Sequence, residues 1–460
     1  MIGRWDLVAL PGPRHHLDTI STDLHEGRSC VWLVPDELVK TGLADECIDE
    51  LVNRHDGLHI PAPKVTHEPV SSASVRPAQL PGSSGDLPSW ARDAFGDHAG
   101  FGVPAAPVTV SAKPQTMPVA DRIAGLLGLP IDEHPDSVSA IASSWQARGK
   151  ILVICGWQEP DGDALATMLT RLTALVKAQG QQPTHRPRLL LAVREGDLPV
   201  AALDRLDPMT SRVRWWWGVI GRLDTSVVVA TTRPRIGLSV SGSQSNALRE
   251  LIAAEVITEV AGPDLLLAEQ LAMSWDGRIS TLGKLLAESV RDVEDDFPSG
   301  FGTPRLSGTR PPHELRPAWR LGVADLWEHQ ARLSPIAKCR NQTGLDALIW
   351  RGQNRVLMPL ADEYRARLEQ VFRSRASRTV LADLAQQNRQ RRTPAQQPRR
   401  TVLELGAMAW AVSAKKIRLP RADNELLFSL LDVRNALAHL QPIADEAIDR
   451  LTSALPQDHS

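Results

Sequence analysis

Apolar residues fall in two patterns along this chain, and the pattern changes near residue 317. Before that point, short runs apolar at nearly every position alternate with stretches of helical period. The runs at 5–10, 30–34, 150–155 (KILVIC), 188–193 (RLLLAV), 213–219 and 226–230 (SVVVA) predict strands, and the stretches at 17–24, 36–52 and 162–178 predict helices. Strands without polar alternation are those covered on both faces, so this part predicts a largely parallel sheet flanked by helices. Helical period then continues alone over 246–261, 265–275 and 279–293.

After 317 no strand pattern survives. Segments 318–331, 344–374, 380–391, 401–414, 424–440 and 444–455 all carry helical period, which predicts a bundle. The expected class is therefore α/β plus all-α, a mostly parallel sheet domain followed by a C-terminal helical bundle. The sheet domain spans 1–61 and 118–243 and is interrupted by a Pro-, Ser- and Gly-rich insertion at 62–117. A lid-like helical segment at 244–300 and a Gly/Pro-rich linker at 301–317 lead to the helical domain at 318–460.

Composition narrows the partners. At 460 residues the chain exceeds one ordinary core. With 52 basic against 54 acidic residues, the global charge does not announce nucleic-acid binding, and a basic contribution has to be local. Cys30, Cys47, Cys155 and Cys339 are scattered with no CxxC pair, so neither a disulfide framework nor a metal site is expected. The first residues are charged and no run reaches membrane-spanning length, so a cytoplasmic location without a membrane partner is expected.

Strand, loop, helix and strand at the spacing of the first sixty residues suit a phosphate-binding domain, but the chemistry is degraded. A phosphate-cradling loop needs glycines, then Lys and Ser/Thr. Here the candidate loop is Pro11-Gly12-Pro13-Arg14-His15-His16, whose prolines remove donors. Gly12 and Arg14 are the residues left to contact an anion; the other reading is a structural turn. At the end of the run 150–155, where a magnesium-holding acid should stand, the sequence has Gly156-Trp157-Gln158, with Glu159 one place late. ATP hydrolysis is not expected, and no cofactor is implied. Trp215, Trp216 and Trp217 cannot all face one side of a strand. They read as a strand buried on both faces, or as a stacking platform for bases.

The stretch 426–442, LLFSLLDVRNALAHLQP, holds the densest chemistry. Leu427, Leu430, Leu431 and Leu437 form an apolar stripe, with Asp432, Arg434, Asn435 and His439 set into the last turns before Pro442. Arg389, Arg391, Arg392, Arg399 and Arg400 make a local basic patch, which reads as a solvated loop or as the place where nucleic-acid phosphates, RNA among them, would be met.

Arg434-Asn435-Ala436-Leu437-Ala438-His439 matches the R-N-x3-H form of the signature of HEPN domains. The helix predicted at 401–414 is similar to the one that packs against it in that family. The resemblance covers roughly the last sixty to one hundred and twenty residues. The N-terminal half resembles a degenerate P-loop ATPase of the AAA or STAND kind, a fusion typical of bacterial antiphage and conflict systems. The resemblance implies metal-independent RNA cleavage at a site shared by two protomers, with Arg434 stabilising charge on the phosphate, His439 moving the proton and Asn435 orienting the group. It implies a homodimer, or partner defence proteins, and regulation by an inactive NTPase-like module. The alternative is a scaffold or adaptor subunit of an antiphage complex whose HEPN domain is not catalytic.

Overall fold

A computed structural model of the chain describes residues 5–63, 116–233, 244–289, 308–337, 344–390 and 402–456. Nearly all of the insertion predicted at 62–117 lies outside the described residues, as do Arg391, Arg392, Arg399 and Arg400.

Five parallel strands form the sheet: β1 (Ser29–Leu33), β2 (Leu58–His59), β3 (Ile151–Cys155), β4 (Arg188–Val193) and β5 (Ser211–Trp215), in the order β2-β3-β4-β1-β5. Every residue of β1, β3 and β4 is buried, as their unbroken apolar runs require. The sheet's helices are α1 (Pro11–His25), α2 (Asp36–Lys40), α3 (Leu43–His55), α4 (Val119–Leu127), α5 (Ser137–Ser143), α6 (Gly162–Ala178), α7 (Val200–Asp204) and α8 (Arg222–Thr232).

Two predicted strands are helical. The run at 5–10 forms a single 3₁₀ turn, Leu7–Ala9, because the Asp6 carboxylate accepts the Val8 N–H at 3.1 Å. Pro11 then starts α1 at the position where a missing N–H costs nothing. The expected loop 11–16 is thus the first turn of a helix. The run at 226–230 lies inside α8, whose first turn is fixed by Asp224 accepting the Gly221 N–H at 2.6 Å. Continuous apolar runs do not distinguish strand from buried helix, and this polar cap decides.

Helices α9 (Gln244–Ala261), α10 (Leu265–Ser274) and α11 (Ile279–Glu288) follow. In place of the helix predicted at 318–331 the chain makes a short helix α12 (Arg316–Arg320) and an antiparallel hairpin, β6 (Ala324–Trp327) with β7 (Gln330–Leu333). Glu328 and His329 turn the hairpin with φ of 47° and 66°, the left-handed pair that a two-residue hairpin demands. Neither is glycine or asparagine, so the usual hairpin signal is missing from the sequence.

The C-terminal region is helical, as predicted: α13 (Leu345–Arg375), α14 (Arg378–Gln390), α15 (Leu405–Ser413), α16 (Arg421–Ala438) and α17 (Asp445–Ala454). It is joined closely to the rest. Gly352 of α13 meets α9 so tightly that a Cβ there would lie 2.6 Å from the Val256 Cα. Buried Glu259 of α9 gathers Arg222 of α8 and Arg355 of α13, the latter at 2.9 Å, while Arg332 of β7 lies 3.8 Å away. Asp445 of α17 caps α11 by accepting the Ile279 and Ser280 N–H groups at 2.9 and 3.1 Å.

Candidate functional site

Helix α16 buries Leu426, Leu427, Leu430, Val433 and Leu437. Leu431, expected on the stripe, is half-buried. Arg434 and His439 are exposed and Asn435 is half-buried. The Arg434 guanidinium donates from Nη1 to the Asn435 Oδ1 at 3.0 Å. Among the described residues no carboxylate pairs with Arg434 or His439. The helix ends without distortion before His439, whose N–H donates to the Asn435 and Ala436 carbonyls at 3.0 and 3.1 Å. Leu440 follows in the left-handed region at φ 59°, and Gln441 N–H closes on the Ala436 carbonyl. Pro442 therefore lies beyond the stop. Arg434 and His439 remain five residues apart on a regular turn, about 140° around the axis, so one copy does not aim both at one phosphate.

One turn of α13 holds this end in place. The Trp350 indole N–H donates to the Leu437 carbonyl at 2.8 Å. The buried Gln353 amide donates to the Ile443 carbonyl at 2.8 Å and accepts the Ile443 N–H at 2.6 Å. Helix α15 packs on α16, as expected of its position.

Of the two predicted anion contacts near the N-terminus, Gly12 is engaged within the fold and Arg14 is exposed. Gly12 N–H donates to Asp224 Oδ1 at 2.9 Å, and a Cβ on Gly12 would lie 2.1 Å from the Val219 carbonyl oxygen. Arg14 is exposed, with its N–H bonded to the Leu10 carbonyl within the helix. His16 lies between Trp32 and Trp216, and burial with Arg214 nearby pushes its pKa down to about 4. At the end of β3, Glu159 pairs with Arg122, and both side chains are largely buried. A Cβ on Gly156 would lie 2.5 Å from the Val193 side chain, so packing denies that position to an acid. Cys155 Sγ is 3.5 Å from His59 Nε2, but burial pushes the thiol up to about 12, away from a nucleophilic thiolate. Arg389 lies on α14.

The topology locates a crevice that periodicity did not reveal. From β1 the chain crosses toward β2 at one edge, and from β4 it crosses β1 toward β5 at the other. Ligands of open α/β sheets bind outside the carboxyl ends of strands where the connections diverge, here β4 and β1. The residues leaving β1, 34–41 (VPDELVKT), place Lys40 and Thr41 at the last two positions of the G-x4-G-K-[ST] spacing. Val34 and Val39 stand where that loop has glycines. The Thr41 hydroxyl donates to the Glu37 carbonyl at 2.9 Å, and Lys40 lies 3.9 Å from the Glu37 carboxylate.

Residues 311–326 pack over these strand ends. The Trp319 indole N–H donates to the Trp216 carbonyl at 2.7 Å, and its ring lies 5.2 Å from Trp215. Arg316 lies over the Trp215 ring and reaches Glu195 at 3.2 Å, and Arg320 reaches Asp36 at 3.3 Å. Trp216 and Trp217 are buried, so the three tryptophans serve this packing rather than an open platform for bases.

No protein-family model, curated protein or solved structure matches this chain. Among the described residues no helix is long and apolar enough to cross a membrane, and no cluster of His, Cys, Asp or Glu is arranged to hold a metal ion.

Proposed function

We propose that the C-terminal helices form an RNA-cleaving module of HEPN type, regulated by an α/β region that does not hydrolyse ATP. The observation that carries this reading is the end of α16, where Arg434 and His439 stand exposed and unpaired by carboxylates among the described residues. An arginine fork suits a phosphate, and an imidazole can take up and hand on a proton. Because the regular turn separates the two side chains, the reading requires two copies, with Arg434 of one chain meeting His439 of the other across the scissile phosphate. His439 would take the 2′-hydroxyl proton, Arg434 would hold the developing charge, and Asn435 would orient Arg434 through the bond already present. The α/β region supports a regulatory rather than hydrolytic part, since valines stand at the glycine positions of the 34–41 loop and Glu159 is engaged by Arg122.

Cleavage of RNA by the purified protein in EDTA, with Arg434→Ala and His439→Ala beside the wild type, tests this directly. Each substitution is expected to reduce cleavage at least about a hundred-fold, the usual scale of acid–base contributions. Wild-type protein that leaves RNA intact, or variants that cleave as well as wild type, would remove the assignment.

A further inference from the structure

We propose that β5, at the edge of the sheet, accepts an added strand from a partner protein, an extended segment in which acidic residues flank an apolar one. The surface involves neither Arg434 nor His439, and so stands independently of the RNA-cleaving reading.

β5 is the last strand in the order β2-β3-β4-β1-β5, and it pairs with β1 alone. Every residue of β1, β3 and β4 is buried, whereas Arg212, Val213, Arg214 and Trp215 are half-buried. At one end of the pairing Ser29 N–H donates to the Thr210 carbonyl at 2.9 Å. At the other, Trp216 N–H donates to the Leu33 carbonyl at 2.8 Å. Alternate residues of a parallel strand turn their backbone groups to the same neighbour, so Arg212 and Arg214 face β1 and residues 211, 213 and 215 face outward. Two of the outward groups are closed within the chain. Ser211 N–H donates to the Asp207 carbonyl at 2.9 Å, and Trp217 N–H donates to the Trp215 carbonyl at 2.8 Å. The Ser211 carbonyl, both backbone groups of Val213 and the Trp215 N–H have no hydrogen-bond partner among the described residues. Such a row is a template for strand addition, in which main-chain bonds give affinity and side chains give specificity.

The side chains select the strand. Arg212 and Arg214 share one face, toward α1. There the buried Asp23 carboxylate accepts from Arg214 Nε at 2.7 Å and from Arg28 Nη2 at 2.9 Å, with Arg212 3.9 Å away. Glu26 also pairs with Arg28. The cluster thus sets three guanidinium groups against two carboxylates, and Arg212 and Arg214 keep 39% and 30% of their side chains exposed. Val213 and Trp215 take the opposite face, where Arg316 lies over the Trp215 ring. A second copy of β5 paired antiparallel about Val213 would set Arg212 against Arg214, and like charges directly opposite are destabilising. A strand with acids two residues apart instead brings both beside Arg212 and Arg214, and the residue between them beside Val213, where an apolar side chain suits.

Fluorescence anisotropy on the full chain at low salt tests this with a labelled, end-capped peptide, Thr-Glu-Val-Glu-Val-Glu-Thr. The comparisons are its Thr-Gln-Val-Gln-Val-Gln-Thr counterpart, the acidic peptide N-methylated at every backbone position, and oligouridylate. The acidic peptide is expected to bind saturably. The other two peptides are expected to bind at least about ten-fold more weakly, one for lack of charge and the other for lack of backbone donors. Arg212→Gln is expected to lower affinity about ten-fold, and so is Val213→Pro, which removes an outward N–H and leaves the β1 pairing its donors. Arg212→Gln and the N-methylated peptide decide the question even if Val213→Pro fails to fold. No binding of the acidic peptide, equal binding of either altered peptide, unchanged affinity in Arg212→Gln, or oligouridylate binding that displaces the peptide would each overturn the proposal.

Discussion

The carboxyl ends of the sheet strands and the carboxyl end of α16 both gather polar side chains, but they differ in what engages those groups. At the sheet, Arg316 is held by Glu195, Arg320 by Asp36 and Arg194 by Asp197. At α16, the Arg434 guanidinium reaches its neighbour Asn435, and His439 offers its ring to solvent. Residue types alone therefore mislead. A polar group is available for chemistry where the fold has left it unengaged, and that distinguishes the two places more sharply than their sequences do.

Substitutions that probe stability should separate the two regions. The largest effect is expected for Trp319→Ala, which empties a fully buried site and removes the bond to the Trp216 carbonyl. A loss of about 3–5 kcal/mol in urea unfolding is expected for such a truncation; a loss below about 1 kcal/mol would mean that residues 311–326 are not integral to this end of the sheet.

Acid–base titration should expose a second contrast. The Asp325 carboxyl lies at about 7 when folded against 3.8 as its ordinary value, so the folded state holds the extra proton between them. Its contribution to stability is lost as pH rises through that window. His16 lies at about 4 when folded against 6.5, so its contribution is lost as pH falls through that window. The two slopes oppose each other. Stability measured from pH 4 to 6.5 should rise more steeply with pH in Asp325→Asn and less steeply, or fall, in His16→Asn; unchanged slopes would refute both environments.

A smaller gain is expected from Leu440→Gly. Leu440 sits at φ 59° with its side chain 66% exposed, and a left-handed residue with a Cβ costs roughly 1–2 kcal/mol. The variant should be more stable by about 1 kcal/mol. If it is instead less stable, the Leu440 side chain is making a contact that outweighs the strain. The smallest effect belongs to Arg434→Ala and His439→Ala, each expected within about 0.5 kcal/mol of wild type as exposed substitutions. A marked loss in either would show that these residues hold the fold.

Much of the fold was legible in periodicity. Residues 162–178 and 188–193 form the helix and strand predicted for them, bound for bound. Three of the failures share a cause. Residues 5–10, 226–230 and 318–331 were decided by single polar groups or by backbone signs that apolar spacing does not encode: Asp6, Asp224 and the Glu328-His329 turn. The polar trio of α16 was legible because its residues stand together in sequence. The sheet crevice was not, because Glu37, Trp319 and Asp325 come to line one cleft only through strand order and a hairpin without its usual turn residues. With strand order in hand, the Lys40-Thr41 pair after a fully buried strand would have been the signal to follow.

The turn of α13 from Trp350 to Gln353 has a mechanical consequence. Its Gly352 rests on the backbone of α9, while Trp350 and Gln353 grip the carbonyl of Leu437 and both backbone groups of Ile443. These grips fall on either side of His439, within about 5.4 Å of helix rise. The turn therefore ties two regions together: the segment that carries His439 is held at both ends by side chains of a helix whose own position is set by its close approach to α9.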